Sequence, residues 1–164
     1  MKPELNQRST LPYVAVRRTL RMDELGDVLP ECWPQVFNWV STRGLVDQVT
    51  ARPIIRYLKI NMPDELVVDI GIPLNSSVQA DGDIVADELP AGNYAEGVHE
   101  GPYDLLADAN AALQSWAAAE GIELDGEDGA AGWSGRFEMY LTDPETTPDP
   151  SGWQTLISYR VKDQ

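Results

Sequence analysis

Hydrophobic positions along this chain switch between a period of two and a period of three to four, and the switches come in a repeated order. Residues 12–20 alternate, with Val14, Val16 and Leu20 on one face, and predict a strand. Leu25, Val28, Leu29, Cys32, Val36, Trp39 and Val40 then recur at helical spacing, and Gly44 supplies a stop. Pro30 and Pro34 fall inside this stretch. They predict an early break, or a regular helix that begins only near residue 30. Two strand-like runs follow, 54–60 and 66–72, joined by a hairpin connection at 61–65.

The same order then returns. Residues 94–100 read as a strand introduced by the turn signal Pro90-Ala91-Gly92-Asn93. Gly101-Pro102 opens a second helix with Asp104 in its first turn, where the helix dipole favours an acid. Leu106, Ala109, Leu113, Trp116 and Ala117 form its stripe, and Gly121 ends it. An acidic, glycine-rich loop at 123–132 reads as a mobile surface connection. Strands at 136–142 and 153–161 follow, the second with Trp153, Thr155, Ile157, Tyr159 and Val161 on one face. Trp39-x4-Gly44 and Trp116-x4-Gly121 mark matching helix ends, and Tyr13 and Tyr94 matching first strands.

The predicted fold class is therefore α+β, built from duplicated strand-helix-strand-strand modules with pseudo-two-fold symmetry. An antiparallel sheet, two main helices and a central groove between the halves complete it. The 164 residues are expected to form one domain, with a first half at about 12–74 and a second at about 83–162. A polar linker holding a weak strand at 84–86 lies between them.

Charge narrows the partners. Twelve basic side chains stand against 27 acidic ones, a formal −15, which disfavours nucleic acid and favours cationic ligands at long range. A solvated acidic surface that promotes solubility is the better explanation of the charge itself. No apolar run reaches membrane-span length and no secretory leader is visible, so a cytoplasmic protein is expected. One cysteine, Cys32, and one histidine, His99, exclude an intrachain disulfide and a zinc site of ordinary make-up, and no cofactor is implied.

Candidate chemistry concentrates on the strand at 136–142. Its alternation sends Phe137, Met139 and Leu141 to one face and Arg136, Glu138 and Tyr140 to the other. A carboxylate among aromatic and apolar neighbours has to be paired, solvated or used. Pairing with Arg136, Arg56 or Lys59 is the structural alternative to a ligand anchor. Trp33 and Phe37 flank the first helical stripe and face the groove, Tyr57, Tyr140 and Tyr159 project from strands, and Trp133 stands beside the Glu138 strand. Each could equally fill core, as Trp39 and Trp116 on their stripes are expected to do. His99 reads as a turn residue, and a Cys32/His99 nucleophilic pair has only the presence of both residues behind it.

Three passages carry a resemblance: Leu89-Pro90-Ala91-Gly92-Asn93-Tyr94-Ala95, His99-Glu100-Gly101-Pro102-Tyr103-Asp104-Leu105 and Phe137-Glu138-Met139-Tyr140-Leu141-Thr142-Asp143-Pro144. They resemble, in order and spacing, elements of the GyrI-like small-molecule-binding domain, found alone and as the effector-binding part of BmrR-type and AraC-type regulators. The resemblance runs from about Tyr13 to Val161. It implies a pocket between the halves for bulky aromatic or cationic compounds, with Glu138 in the place of the family's binding glutamate. Because no helix-turn-helix precedes residue 12, a stand-alone binding protein is expected rather than a complete regulator. Two alternatives come with the resemblance. One is a cofactor-independent hydrolase that opens strained cyclopropane-type rings, with Glu138 and Tyr140 as its catalytic pair. The other is a module acting on a protein partner such as gyrase.

Overall fold

The computed structural model describes residues 1–163. Alternating apolar positions produce the strands β1 (Glu4–Arg8), β2 (Leu11–Leu20), β3 (Ile54–Asn61), β4 (Glu65–Pro73), β5 (Ile84–Leu89) and β6 (Gly92–Glu100). The short β7 (Gly126–Glu127) and β8 (Gly132–Trp133) precede β9 (Arg136–Tyr140) and β10 (Gln154–Arg160). Eight of these strands form one antiparallel sheet in the order β1-β6-β10-β9-β3-β4-β2-β5, while β7 and β8 pair as a separate hairpin. Helices α1 (Leu25–Thr42) and α2 (Leu106–Ala119) carry the helical stripes onto this sheet, α1 against β2 and β4, α2 against β6. Neither helix is long and apolar enough to cross a membrane.

The halves join where β3 pairs with β9. Ile54, Ile55 and Arg56 lie opposite Met139, Glu138 and Phe137. A two-fold through the Ile55–Glu138 pair therefore makes Tyr57 and Tyr140 equivalent, each two residues beyond the axis. The repeated unit is longer than its sequence pattern suggests. β1 pairs with β6 of the other half, and β5 pairs with β2. Arg8 stands opposite Gly92 as Leu89 stands opposite Leu11, and one 81-residue shift turns Leu11 into Gly92 and Arg8 into Leu89. Each module is thus strand-strand-helix-strand-strand, with its leading strand laid on the partner half. β1 escapes periodicity because it is an edge strand whose only apolar residue, Leu5, is 51% exposed.

Packing fills both faces of the sheet. On the helix side, Val14, Val16, Ile55 and Ile70 meet Cys32, Val36 and Val40 of α1, and Ile157 and Tyr159 meet Ala109 and Leu113 of α2. On the far side Tyr13, Ala15, Ile54, Tyr94, Phe137 and Met139 form a second core. Helix α1 is continuous through Pro30 and Pro34, against the expected break. Gly26, Pro30 and Pro34 all lie on its exposed side, so the carbonyls that lose their amide partners face solvent. Trp39 and Trp116 are only partly buried at the edge of the core, and Trp39 donates its indole N–H to Asp81 at 3.0 Å.

Candidate functional site

Glu138 sits at the seam of the two halves, where strand register decides its neighbours. On the helix face it has Ile55 across from it on β3 and Ile157 across on β10. Its carboxylate is buried, with the residue 3% exposed. Oε1 accepts hydrogen bonds from the phenols of Tyr57 at 2.7 Å and Tyr140 at 2.9 Å. Oε2 accepts from the side-chain amide of Asn110 on α2 at 3.1 Å. The chain continues outward: Tyr159 donates to Asn110 Oδ1 at 2.6 Å and accepts from Gln114 at 2.9 Å. No ion pair among the described residues involves Glu138. Arg56 points to the far face, where it donates to Tyr13 and to the carbonyls of Glu88 and Ser134, and Lys59 is exposed.

Arg136, two residues before Glu138 on the same face, is held by rings rather than by the carboxylate. Its guanidinium carbon lies 4.7 Å from the centroid of Tyr159, 4.9 Å from Trp133 and 5.5 Å from Tyr57. Tyr159 is its cross-strand partner, and Trp133 is delivered by the β7–β8 hairpin. That hairpin depends on Gly132, whose φ of +72° suits glycine and where a Cβ would stand 2.6 Å from the Leu58 carbonyl. Segment 123–132 is therefore a docked hairpin rather than a free loop. Trp133 and Arg136 both donate to Asp128 on it, at 2.9 and 3.3 Å.

On the other side of Glu138, Tyr140 is boxed by Trp33 of α1 at 5.4 Å and by Tyr103 at 5.6 Å, both edge-on, and Tyr103 leans on Trp153 at 4.6 Å. The expected groove is thus occupied at its centre by aromatic side chains. Phe37 stays apart, 49% exposed on α1. A surface cavity of about 480 Å³ adjoins the cluster, lined by hairpin residues that include Trp133 and by Lys162. Burial, reinforced by the Glu138 charge, pushes the phenols of Tyr57 and Tyr140 well above their ordinary value, so both remain proton donors. Burial likewise raises Tyr159.

Buried polar atoms without a partner gather here. Trp33 Nε1, Arg136 Nε and Thr155 Oγ1 belong to residues of this cluster or of its facing strand, while Arg56 Nε lies on the far face. Such orphans are rare in ordinary cores and mark places where something else can bond. Among the described residues, no group of three or more His, Cys, Asp and Glu is placed to hold a metal ion. His99 keeps to its turn, its ring 3.4 Å from the Pro102 carbonyl, and Cys32 is buried in the α1 core with its thiol pushed up by burial.

Asn110, Gln114, Tyr103 and Asp128 are members that periodicity alone does not single out. A signal for the first two was present. The shift that carries Trp39 onto Trp116 also carries Trp33 onto Asn110 and Phe37 onto Gln114, so flanking positions of one helix predict those of the other.

Solved structures share this arrangement. The C-terminal domain of EcmrR superimposes with a TM-score of 0.77 at 18% identity, covering 99% of this chain and 98% of that one. In the cryo-EM structure of the EcmrR–DNA complex the TM-score is 0.76 at 18% identity, and the match spans only 58% of that longer chain. SAV2435 bound to tetraphenylphosphonium matches with a TM-score of 0.63 at 13% identity, covering 99% of this chain and 94% of that one. No curated protein matches the sequence. The family profile for the GyrI-like small molecule binding domain, however, matches residues 1–162, and the chain belongs to that family.

Proposed function

We propose that this chain binds bulky aromatic cations between its two helices, with Glu138 as the anchoring charge. The observation that carries the reading is a buried carboxylate whose partners, Tyr57, Tyr140 and Asn110, are all neutral donors. These donors make the negative charge tolerable without cancelling it, so a cation brought close gains the full attraction of a poorly screened site. Tyr140, Tyr159, Trp33 and Trp133 supply walls that reward a flat or propeller-shaped aromatic guest. The tetraphenylphosphonium complex of a protein with the same fold fits this chemistry. Access requires rings of the closed cluster to swing aside.

Both carboxylate oxygens of Glu138 are engaged by neutral donors, an arrangement that supports the holding of a cation. Titration of the protein with tetraphenylphosphonium, followed by tryptophan quenching, is expected to saturate. The Glu138→Gln variant should bind about 30-fold more weakly, the equivalent of ~2 kcal/mol for one desolvated charge contact. Unchanged affinity in a folded variant would remove Glu138 from the anchor role.

A further inference from the structure

The strongest unassigned feature is the cation already inside the aromatic box. Four buried or partly buried arginine side chains can be compared. Arg56 makes three hydrogen bonds within the protein, to Tyr13, Glu88 and Ser134. Arg160 is bonded to Ala91, Asp125 and Asp163. Arg8, docked on the buried Glu96, makes two bonds to that carboxylate. These are structural arginines, each making at least two hydrogen bonds to protein acceptors, although Arg56 also leaves its Nε without a partner. Arg136 differs. Its side chain is only 12% exposed, yet of five N–H donors it engages one acceptor, Asp128, at 3.3 Å, and its Nε has no partner. Three π faces hold it instead, those of Tyr57, Trp133 and Tyr159.

Resting on the reading of this site as a cation binder, we propose that Arg136 is its built-in occupant and sets the threshold that a ligand must exceed. The guanidinium fills the half of the box beside Glu138 and competes with any incoming cation for the same rings. Few hydrogen bonds hold it, so few are lost when it leaves. A landing place exists as well. Asp128 is 59% exposed and belongs to the hairpin that also carries Asp125 and Glu127 along the neighbouring cavity. A guanidinium swung outward keeps its acidic partner, and Trp133, tied to the same Asp128, moves with it. Specificity follows from this arrangement. Neutral aromatics cannot replace the charge lost from the box, weak cations cannot outbid the tethered one, and large delocalised cations can do both.

Affinity for tetraphenylphosphonium and for neutral triphenylphosphine oxide should be measured by calorimetry in wild type, Arg136→Gln and Asp128→Asn. Arg136→Gln is expected to bind the cation about ten-fold more tightly, with little change for the neutral compound. Asp128→Asn removes the landing place and should weaken cation affinity, by a smaller factor. If wild type binds and Glu138→Gln weakens binding as expected, but Arg136→Gln binds equally or more weakly, the occupant role is wrong while the anchor stands. If neither wild type nor Arg136→Gln binds the cation, both readings fall. Should Arg136→Gln fail to fold, arginine side-chain NMR on wild type decides. Saturation with tetraphenylphosphonium should move the ring-shifted Arg136 Nε–H signal to a solvent-like position, and an unmoved signal in a protein that binds overturns the proposal.

Discussion

Two phenols share one carboxylate oxygen of Glu138, and that sharing governs what single substitutions do. Tyr57→Phe removes one donor from Oε1 and leaves Tyr140 in place, and Tyr140→Phe does the reverse. Each loss weakens a charge-assisted bond in a buried site and should cost about 1.5–3 kcal/mol of unfolding free energy. The double variant strips Oε1 of both partners. Its cost should exceed the sum of the singles, because the last donor shields the charge from complete desolvation penalty. Urea unfolding of the three variants measures this coupling, and strict additivity would show that the phenols do not act on a common charge. Tyr140 also holds Trp33 and Tyr103 edge-on, contacts that Phe retains, so the effect isolates the hydroxyl.

At the scale of elements, exchange of leading strands between the halves matters most for how the two edges of the sheet are held. β1 reaches the far half through polar side chains. Arg8 and Asn6 both bond Glu96, which is buried and also accepts from Ser158. Arg8→Ala leaves that carboxylate without its cation and should destabilise the fold by about 3 kcal/mol, the lower end for breaking a buried pair because Arg8 keeps part of its solvent. Thermal denaturation should show the drop, and Arg8→Lys should recover part of it. A neutral outcome would mean that β1 is held by backbone pairing alone.

The same strand shows where legibility in the chain ends. Helix stripes, the Phe137/Glu138 alternation and the doubled order were readable because burial imposes a period on residues such as Val36, Leu113 and Ile157. β1 has no buried face and so no period. α1 resisted reading because Pro30 and Pro34 lie on its solvent side, where their missing amides cost little. Within the site, Glu138, Tyr57, Tyr140, Tyr159, Trp33 and Trp133 were conspicuous as chemistry. Asn110 and Asp128 join them only through contacts made in three dimensions, at 3.1 Å to Glu138 and 2.9 Å to Trp133. Strand register explains the placement of Arg136 as well: Tyr159 lies opposite it, a pairing that a list of residues cannot show.

For the whole molecule, the tyrosines record how tightly the two halves close. All six phenols, those of Tyr13, Tyr57, Tyr94, Tyr103, Tyr140 and Tyr159, are held above the ordinary value of 10.0, in each case chiefly by burial. Tyr94 is pushed up to about 12. In the unfolded chain the phenols lose their protons near the ordinary value, whereas the folded chain keeps them. Their contribution is therefore fully present below pH 10.0, the unfolded value, and is lost as pH rises from there through the folded values. The protein should unfold cooperatively in that alkaline window, with phenolate absorbance and loss of circular dichroism rising together. Early phenolate absorbance from a still-folded protein would show rings open to water. Tetraphenylphosphonium supplies the discriminating condition. If it enters by parting the box around Glu138, a saturated protein should release its phenolic protons at higher pH than the free one, because a ligand bound only to the folded state stabilises it. A ligand that left the alkaline transition unmoved would not be binding the folded protein in preference to the unfolded chain.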